Sequence, residues 1–157
     1  MLRFAAIALF LLPVGACAAD RCPWLNRATA GAVLGGAAAV QVTHPGTNED
    51  DASCAFELQH GDVVSHLGIT VTTMRAVKTE FSRLVAQCGA ERTELKAIGN
   101  EAFACGGADR HEHWERVAGR VRDRAFVIEL RTYDATPPAA LAAKAREVAE
   151  QVAGILF

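Results

Sequence analysis

The stretch Trp114-Glu-Arg-Val-Ala-Gly-Arg-Val-Arg-Asp-Arg-Ala-Phe-Val-Ile-Glu-Leu-Arg-Thr132 decides the fold, because its alternating pattern predicts a long β-hairpin turning at Arg122-Asp123. This turn places two apolar pairs on the buried face, Val117 with Ile128 and Gly119 with Phe126. It places an ion pair and an aromatic–cation pair on the outer face, Arg116 with Glu129 and Trp114 with Arg131. A one-residue slip would break all four pairs, so the pattern predicts the register as well as the hairpin.

Three helical segments are predicted around the hairpin. Asn26 is the expected N-cap of a short helix that ends at Gly35-Gly36. Its apolar face is expected to carry Ala28, Ala32 and Val33. A second helix has an apolar stripe at helical spacing, formed by Val77, Phe81, Leu84, Val85 and Cys88. The last helix opens at Pro137-Pro138 and carries Leu141, Ala145, Val148, Val152, Ile155 and Leu156.

Alternating apolar residues predict the remaining strands. They are Val40 and Val42; Cys54, Phe56 and Leu58; Leu67, Ile69 and Val71; Thr93, Leu95 and Ala97; and Phe103 and Cys105. The expected element order is therefore α-βββ-α-ββββ-α. We predict an α+β fold in which amphipathic helices pack on one face of an antiparallel sheet, stapled by disulfides.

Length and composition limit the class of protein. The chain has 157 residues, a formal net charge of −2 and 22% charged residues. These values indicate one folded domain and argue against a nucleic-acid binder, which would be strongly basic. Residues 1–18 read as a signal peptide, because Arg3 precedes an apolar run too short to span a bilayer. The domain is expected to cover 19–157.

Two processing routes fit the end of the signal. Val14-Gly15-Ala16-Cys17 resembles a lipobox, in which Cys17 is lipidated and becomes the first residue. Ala16-Cys17-Ala18 also fits ordinary cleavage before Ala19. Both routes lead to an exported protein in the periplasm or outer cell envelope, and we favour the lipid-anchored one. Either route removes Cys17 from disulfide chemistry.

The other four cysteines, Cys22, Cys54, Cys88 and Cys105, form an even set. In an oxidising compartment such a set predicts two disulfides. Four cysteines allow three connectivities. We expect Cys22–Cys54 and Cys88–Cys105, since each pair links a helix end to a nearby strand. Without a Cys-x-x-Cys motif, zinc binding is not expected.

The pattern Cys22-Pro-Trp-Leu-x-x-x-Thr-Ala-x-x-Val-Leu-Gly-Gly36, followed by Cys54-x-Phe56 and Ile69-x-Val71, resembles a family of small secreted bacterial lipoproteins of unknown function. This family is best known from actinobacteria. The pattern is also similar to the extracellular sensor domain of certain mycobacterial Ser/Thr kinases. The resemblance implies an α+β domain with disulfides that binds a ligand or partner. It implies no catalytic residues.

The candidate binding residues lie on the hairpin and comprise Trp114, Arg116, Arg120, Arg122 and Arg131. Guanidinium groups suit phosphate or carboxylate recognition, although interleaved acids favour a sheet face that pairs its own charges. His111 and His113 form a His-x-His pair, but a metal needs a third ligand. The acidic run Glu49-Asp50-Asp51 lacks the alternation of a calcium loop. We predict no metal, cofactor or catalytic residue.

The leading hypothesis is an exported, non-enzymatic binding or sensing module of the cell envelope. Its partner is expected to be a small ligand or another envelope protein, with membrane contact only through lipidated Cys17. The alternatives are a cofactor-free hydrolase outside the cytoplasm and a purely structural envelope component. A deep cleft joining a histidine and a carboxylate would favour the hydrolase. The lack of any concave pocket would favour the structural role.

Overall fold

The computed structural model describes residues 21–43, 50–109, 111–133 and 136–157. Its helices are α1 (Arg27–Leu34), α2 (Val77–Ala86) and α3 (Pro138–Leu156). Its strands are β1 (Ala39–Thr43), β2 (Ala52–His60), β3 (Val63–Thr73), β4 (Thr93–Glu94), β5 (Glu101–Asp109), β6 (Glu112–Val121) and β7 (Arg124–Thr132). Within the described residues, these strands form one antiparallel sheet in the order β1-β2-β3-β7-β6-β5-β4. The predicted α+β class and element order are confirmed.

The β6–β7 hairpin has the predicted register. Val117 pairs with Ile128, Gly119 with Phe126, Arg116 with Glu129, and Trp114 with Arg131. The turn residue Arg122 has φ 56°, in the left-handed region, and its backbone N–H donates to Asn100 Oδ1. This hairpin lies inside the sheet, because β7 also pairs with β3 and β6 also pairs with β5. A slip in its register would therefore disrupt the pairing of four strands at once.

Most of the core lies on one side of the sheet, which we call the α3 face. Its buried strand residues include Phe56, Ile69, Val117, Phe126 and Ile128. Each large side chain that is fully buried stabilises the fold by about 1.5–3 kcal/mol relative to exposure. The α3 helix covers this face over β6 and β7, and α1 covers it over β2 and β3.

The α2 helix lies on the opposite side, which we call the α2 face. Phe81 and Val85 of α2 pack there with Met74 and Ala125, and Phe103 packs against this smaller cluster. Ala125 neighbours Phe126 on β7, and successive strand residues point to opposite faces. The prediction that the helices share one face is therefore right for α1 and α3 and wrong for α2. The physical reason is that the sheet has an apolar patch on each face, and α2 buries the smaller one.

Both predicted disulfides are present. Cys22 is bonded to Cys54 with a Cα–Cα distance of 5.7 Å, and Cys88 to Cys105 with a Cα–Cα distance of 5.5 Å. Cys54 points to the α3 face with Phe56, whereas Cys105 points to the α2 face with Phe103. Each bond thus fastens the chain beside a helix to the face on which that helix packs.

One local expectation is confirmed and two need correction. Asn26 is the N-cap of α1 as predicted, accepting a hydrogen bond from the Thr29 N–H at 2.9 Å. Ala28 and Ala32 are exposed, however, because α1 turns Ala30, Val33 and Leu34 into the core. The predicted strand over Thr93, Leu95 and Ala97 is shorter, since β4 ends at Glu94 and Ala97 has φ 66°.

Two further expectations fall partly or wholly outside the described residues. The structure does not describe the signal segment 1–18, which contains Cys17. It also does not describe Glu49 of the acidic run. Among the helices that the structure describes, none combines the length and apolar character needed to cross a membrane.

Candidate functional site

The hairpin brings three of the five predicted binding residues together. Trp114, Arg116 and Arg131 line a cavity of about 300 Å³ on the α2 face, which we call the α2-side cavity. Its other lining residues are Gln87, Asp109, Glu112, Glu115 and Glu129. Arg120 and Arg122 lie nearer the β6–β7 turn and do not line this cavity.

The guanidinium groups of Arg116 and Arg120 in the predicted site are already engaged. Arg116 donates to Glu129 Oε1 and to Gln87 Oε1, which ties β6 to β7 and to the end of α2. Arg120 donates to Glu101 and to the Arg122 carbonyl, and it lies 5.9 Å from the centre of the Phe81 ring. These contacts stabilise the sheet and hold α2 against it. They leave Arg131 as the most exposed of the paired arginines on the hairpin.

Arg131 and Trp114 face each other across β6 and β7 but do not stack. Arg131 Nη1 donates to Glu112 Oε1 at 3.3 Å, and 49% of its side chain is exposed. The Trp114 indole lies over Gly107 of β5, where a Cβ atom would come within 3.0 Å of the ring. No cation–π contact joins Trp114 to Arg131 within the described residues, so that part of the hairpin prediction is wrong.

A larger cavity of about 550 Å³ lies on the opposite face of the sheet, near the same strand ends. We call it the α3-side cavity. Its floor is the α3 face of β4, β5 and β6, where Ala104, Gly106 and Ala108 present almost no side-chain bulk. The first turns of α3, with Pro138 and Leu141, form one wall. The cavity exists because α3 packs mainly over β6 and β7, leaving the ends of β4 and β5 uncovered.

Glu115 is the acidic group in the floor of the α3-side cavity. Its carboxylate lies against Gly106, where any Cβ atom would overlap a carboxylate oxygen. Burial raises the pKa of Glu115 above its ordinary value, because partial removal from water penalises the charged form. Neither a hydrogen bond nor an ion pair joins this carboxylate to any residue that the structure describes. A partly buried carboxylate that lines a cavity is a candidate for a binding or catalytic role.

His113 lies two residues before Glu115 on the same face of β6 and also lines the α3-side cavity. Its Nδ1 atom is buried and makes no hydrogen bond within the described residues. Of the His-x-His pair, His111 is exposed. No group of three or more metal-ligating side chains is found among the residues that the structure describes.

Sequence reasoning missed Glu115 and Gly106. The hairpin register places Glu115 on the same side as Val117 and Gly119, which is the face that was predicted to be buried. An acidic residue on an otherwise apolar strand face was therefore a usable signal. The small floor of the cavity was not predictable, because it depends on where α3 begins over the sheet.

Two comparisons with known proteins give no relatives. No protein-family model matches the chain. No curated protein matches it at a significant level either. The similarity to secreted bacterial lipoproteins and kinase sensor domains therefore stays a prediction from the quoted motifs.

Proposed function

We propose that this protein is an exported, non-enzymatic binding module whose ligand site is the α3-side cavity. The observation that carries the proposal is Glu115, a half-buried carboxylate that has no partner among the described residues and lies in a cavity with mainly apolar walls. Small-molecule sites typically combine such walls with a few polar groups that orient the ligand. The volume of about 550 Å³ is in the range of small-molecule sites.

The α2-side cavity supports a binding role less well. Its arginines neutralise carboxylates of the same sheet, as the pairs Arg116–Glu129 and Arg131–Glu112 illustrate. An incoming anion would have to displace these intramolecular partners, which would reduce its net gain in free energy. The arginine hypothesis stays a prediction, and the contacts favour a structural role for Arg116 and Arg120.

A hydrolase is the second candidate, because His113 and Glu115 line one cavity. The triad type of hydrolase needs a base that is hydrogen-bonded both to a nucleophile and to an orienting group. Here the His113 Nδ1 atom has no hydrogen-bond partner among the described residues. Cys105, the cysteine at the cavity, is held in a disulfide. The arrangement therefore favours binding over nucleophilic catalysis.

A neutral apolar dye tests the binding role. N-phenyl-1-naphthylamine fluoresces more strongly out of water, and we expect saturable enhancement with one site per chain. Ala108→Phe places a ring in the cavity from an exposed floor position, and we expect it to weaken the affinity about tenfold or more. Ala143→Phe is the control, since Ala143 is an exposed residue of α3 that does not line the cavity. Equal binding by both variants, or no saturable binding, would contradict the proposal.

Other features support a location outside the cytoplasm. Two disulfides indicate an oxidising compartment outside the cytoplasm. We propose that residues 1–18 direct export and that Cys17 carries a lipid anchor. Intact mass of the mature protein would reveal the acyl groups, and Cys17→Ala should release the protein from the membrane fraction. Unchanged partitioning of this variant would exclude the anchor.

A further inference from the structure

Glu115 lines both cavities, but the charged residues around it on the α3 side differ from those on the α2 side. Among the described residues that line it, Glu91 and Glu115 are acidic and none is lysine or arginine. In the α2-side cavity, by contrast, Arg116 and Arg131 each pair with a carboxylate. The negative charge of Glu115 is thus not neutralised within the described part of the chain. A positively charged ligand would supply the missing partner.

The walls of the cavity define the rest of the ligand. Leu95, Ala104, Leu141 and Ala142 present apolar surface beside Glu115. Burial of apolar ligand surface against such walls is favourable, and it also excludes water from the carboxylate. We propose that the α3-side cavity binds a small amphipathic organic cation, with its ammonium group on Glu115 and its apolar part along Leu95, Ala104 and Leu141. This assignment of a ligand class rests on the proposed binding function.

An anionic ligand fits the cavity poorly, although the N-terminus of α3 lies at its wall. Helix N-termini attract anions through backbone N–H groups that have no partner inside the helix. Pro137 and Pro138 have no N–H to offer, and the N–H groups of Ala140 and Leu141 donate to the Pro137 carbonyl. The donors that would recognise an anion are therefore largely missing or already used.

The raised pKa of Glu115 agrees with this assignment. Burial penalises the ionised carboxylate in the free protein, and a bound ammonium group would offset that penalty. The titratable groups that line the cavity beside Glu115 are His113 of β6 and Glu91, which precedes β4. The lining residues contributed by β5 and α3 are uncharged.

Three probes with the same chain length test the ligand class. Octylammonium, octanol and octanoate each contain eight carbon atoms and differ in the head group, and each is titrated into the mature protein by calorimetry at about pH 8. We expect octylammonium to bind about tenfold or more tighter than octanol, and octanoate to bind more weakly than octanol. Glu115→Gln should remove the preference for octylammonium and leave octanol affinity within about twofold.

Glu94→Gln is the matched control. Glu94 is exposed on β4 and pairs with Phe103, which points to the α2 face, so this variant should keep the preference. Equal affinities for octylammonium and octanoate, or a preference that survives in Glu115→Gln, would overturn the ligand class. Binding of octanol in that case would still support the proposed function. Failure of all three probes to bind would overturn both proposals.

Discussion

Neighbouring side chains lie against three glycines of β5 and β6. Gly106 is covered by the Glu115 carboxylate and Gly107 by the Trp114 indole, on opposite faces of the sheet. Gly119 lies under the ring of Phe126, its cross-strand partner. In each case a Cβ atom would occupy the space of the neighbouring side chain. Gly119, where the neighbour is a buried ring, therefore requires glycine for packing rather than for backbone freedom.

Gly119→Ala tests this at the most buried of the three sites. The added methyl group meets the Phe126 ring inside the core, so we expect the free energy of unfolding to fall by about 1–3 kcal/mol. Gly154→Ala is the control, because nothing lies near its Cβ position on α3 and alanine favours helix. It should raise the free energy of unfolding by about 0.5–1 kcal/mol. Urea denaturation measures both. Equal effects of the two substitutions would refute the packing argument.

Glu115 gives the protein a pH dependence of defined sign. Its pKa is higher in the folded state than the ordinary 4.5, so the folded state binds more protons between the two pKa values. The free energy of unfolding should therefore fall as pH rises through that window, and stay level above it. Glu115→Gln removes this titration. Urea denaturation from about pH 4 to about pH 8 measures the free energy of unfolding of both proteins. As pH rises, that of the wild type should fall relative to that of Glu115→Gln. A difference that is constant with pH would contradict the burial of Glu115.

At the scale of elements, the two disulfides act with the helices on opposite faces. Cys22–Cys54 fastens the chain just before α1 to the α3 face, where α1 buries Ala30, Val33 and Leu34. Cys88–Cys105 fastens the chain just after α2 to the α2 face. The α2 helix has no side-chain N-cap, and only Phe81 and Val85 of its residues are buried. The α2 helix therefore depends more strongly on the Cys88–Cys105 bond than α3 does.

Removal of the second disulfide should loosen α2 selectively. The Cys88→Ser/Cys105→Ser variant opens a loop with a sequence separation of 17, for which the loss of stability is about 3 kcal/mol. We expect hydrogen exchange of the α2 amides to accelerate more than that of the α3 amides. Cys22→Ser/Cys54→Ser is the control and should affect α1 first. Uniform acceleration in both helices would argue against a local role for the bond.

The sequence predicts some of these elements well and others poorly, for physical reasons. The β6–β7 register was predictable because four cross-strand pairs agree on a single alignment. The side of the sheet chosen by α2 was not predicted, because Phe103, Ala118 and Ala125 make the second face apolar too. The exposed Ala28 and Ala32 show a similar limit, since alanine is a weak marker of the buried side of a helix.

At the scale of the whole molecule, the sheet carries two cavities of opposite character near the same strand ends. The α2-side cavity contains the pairs Arg116–Glu129 and Arg131–Glu112. Glu115 lines both cavities, has no partner among the described residues, and lies beside apolar walls on the α3 side. The meeting of Trp114, Arg116 and Arg131 was predictable from the hairpin alone. The α3-side cavity was not, because its depth depends on how far a helix covers the sheet. Long-range packing thus created the better candidate site.

The α3-side cavity is the ligand-binding site that we propose. The most direct test is an amide NMR titration of the ¹⁵N-labelled mature protein with N-phenyl-1-naphthylamine. We predict saturable shifts centred on Leu95, Gly106, Glu115 and Leu141, which line that cavity. The largest shifts at Gln87 and Arg131 of the α2-side cavity, or no saturable shifts at all, would contradict the account.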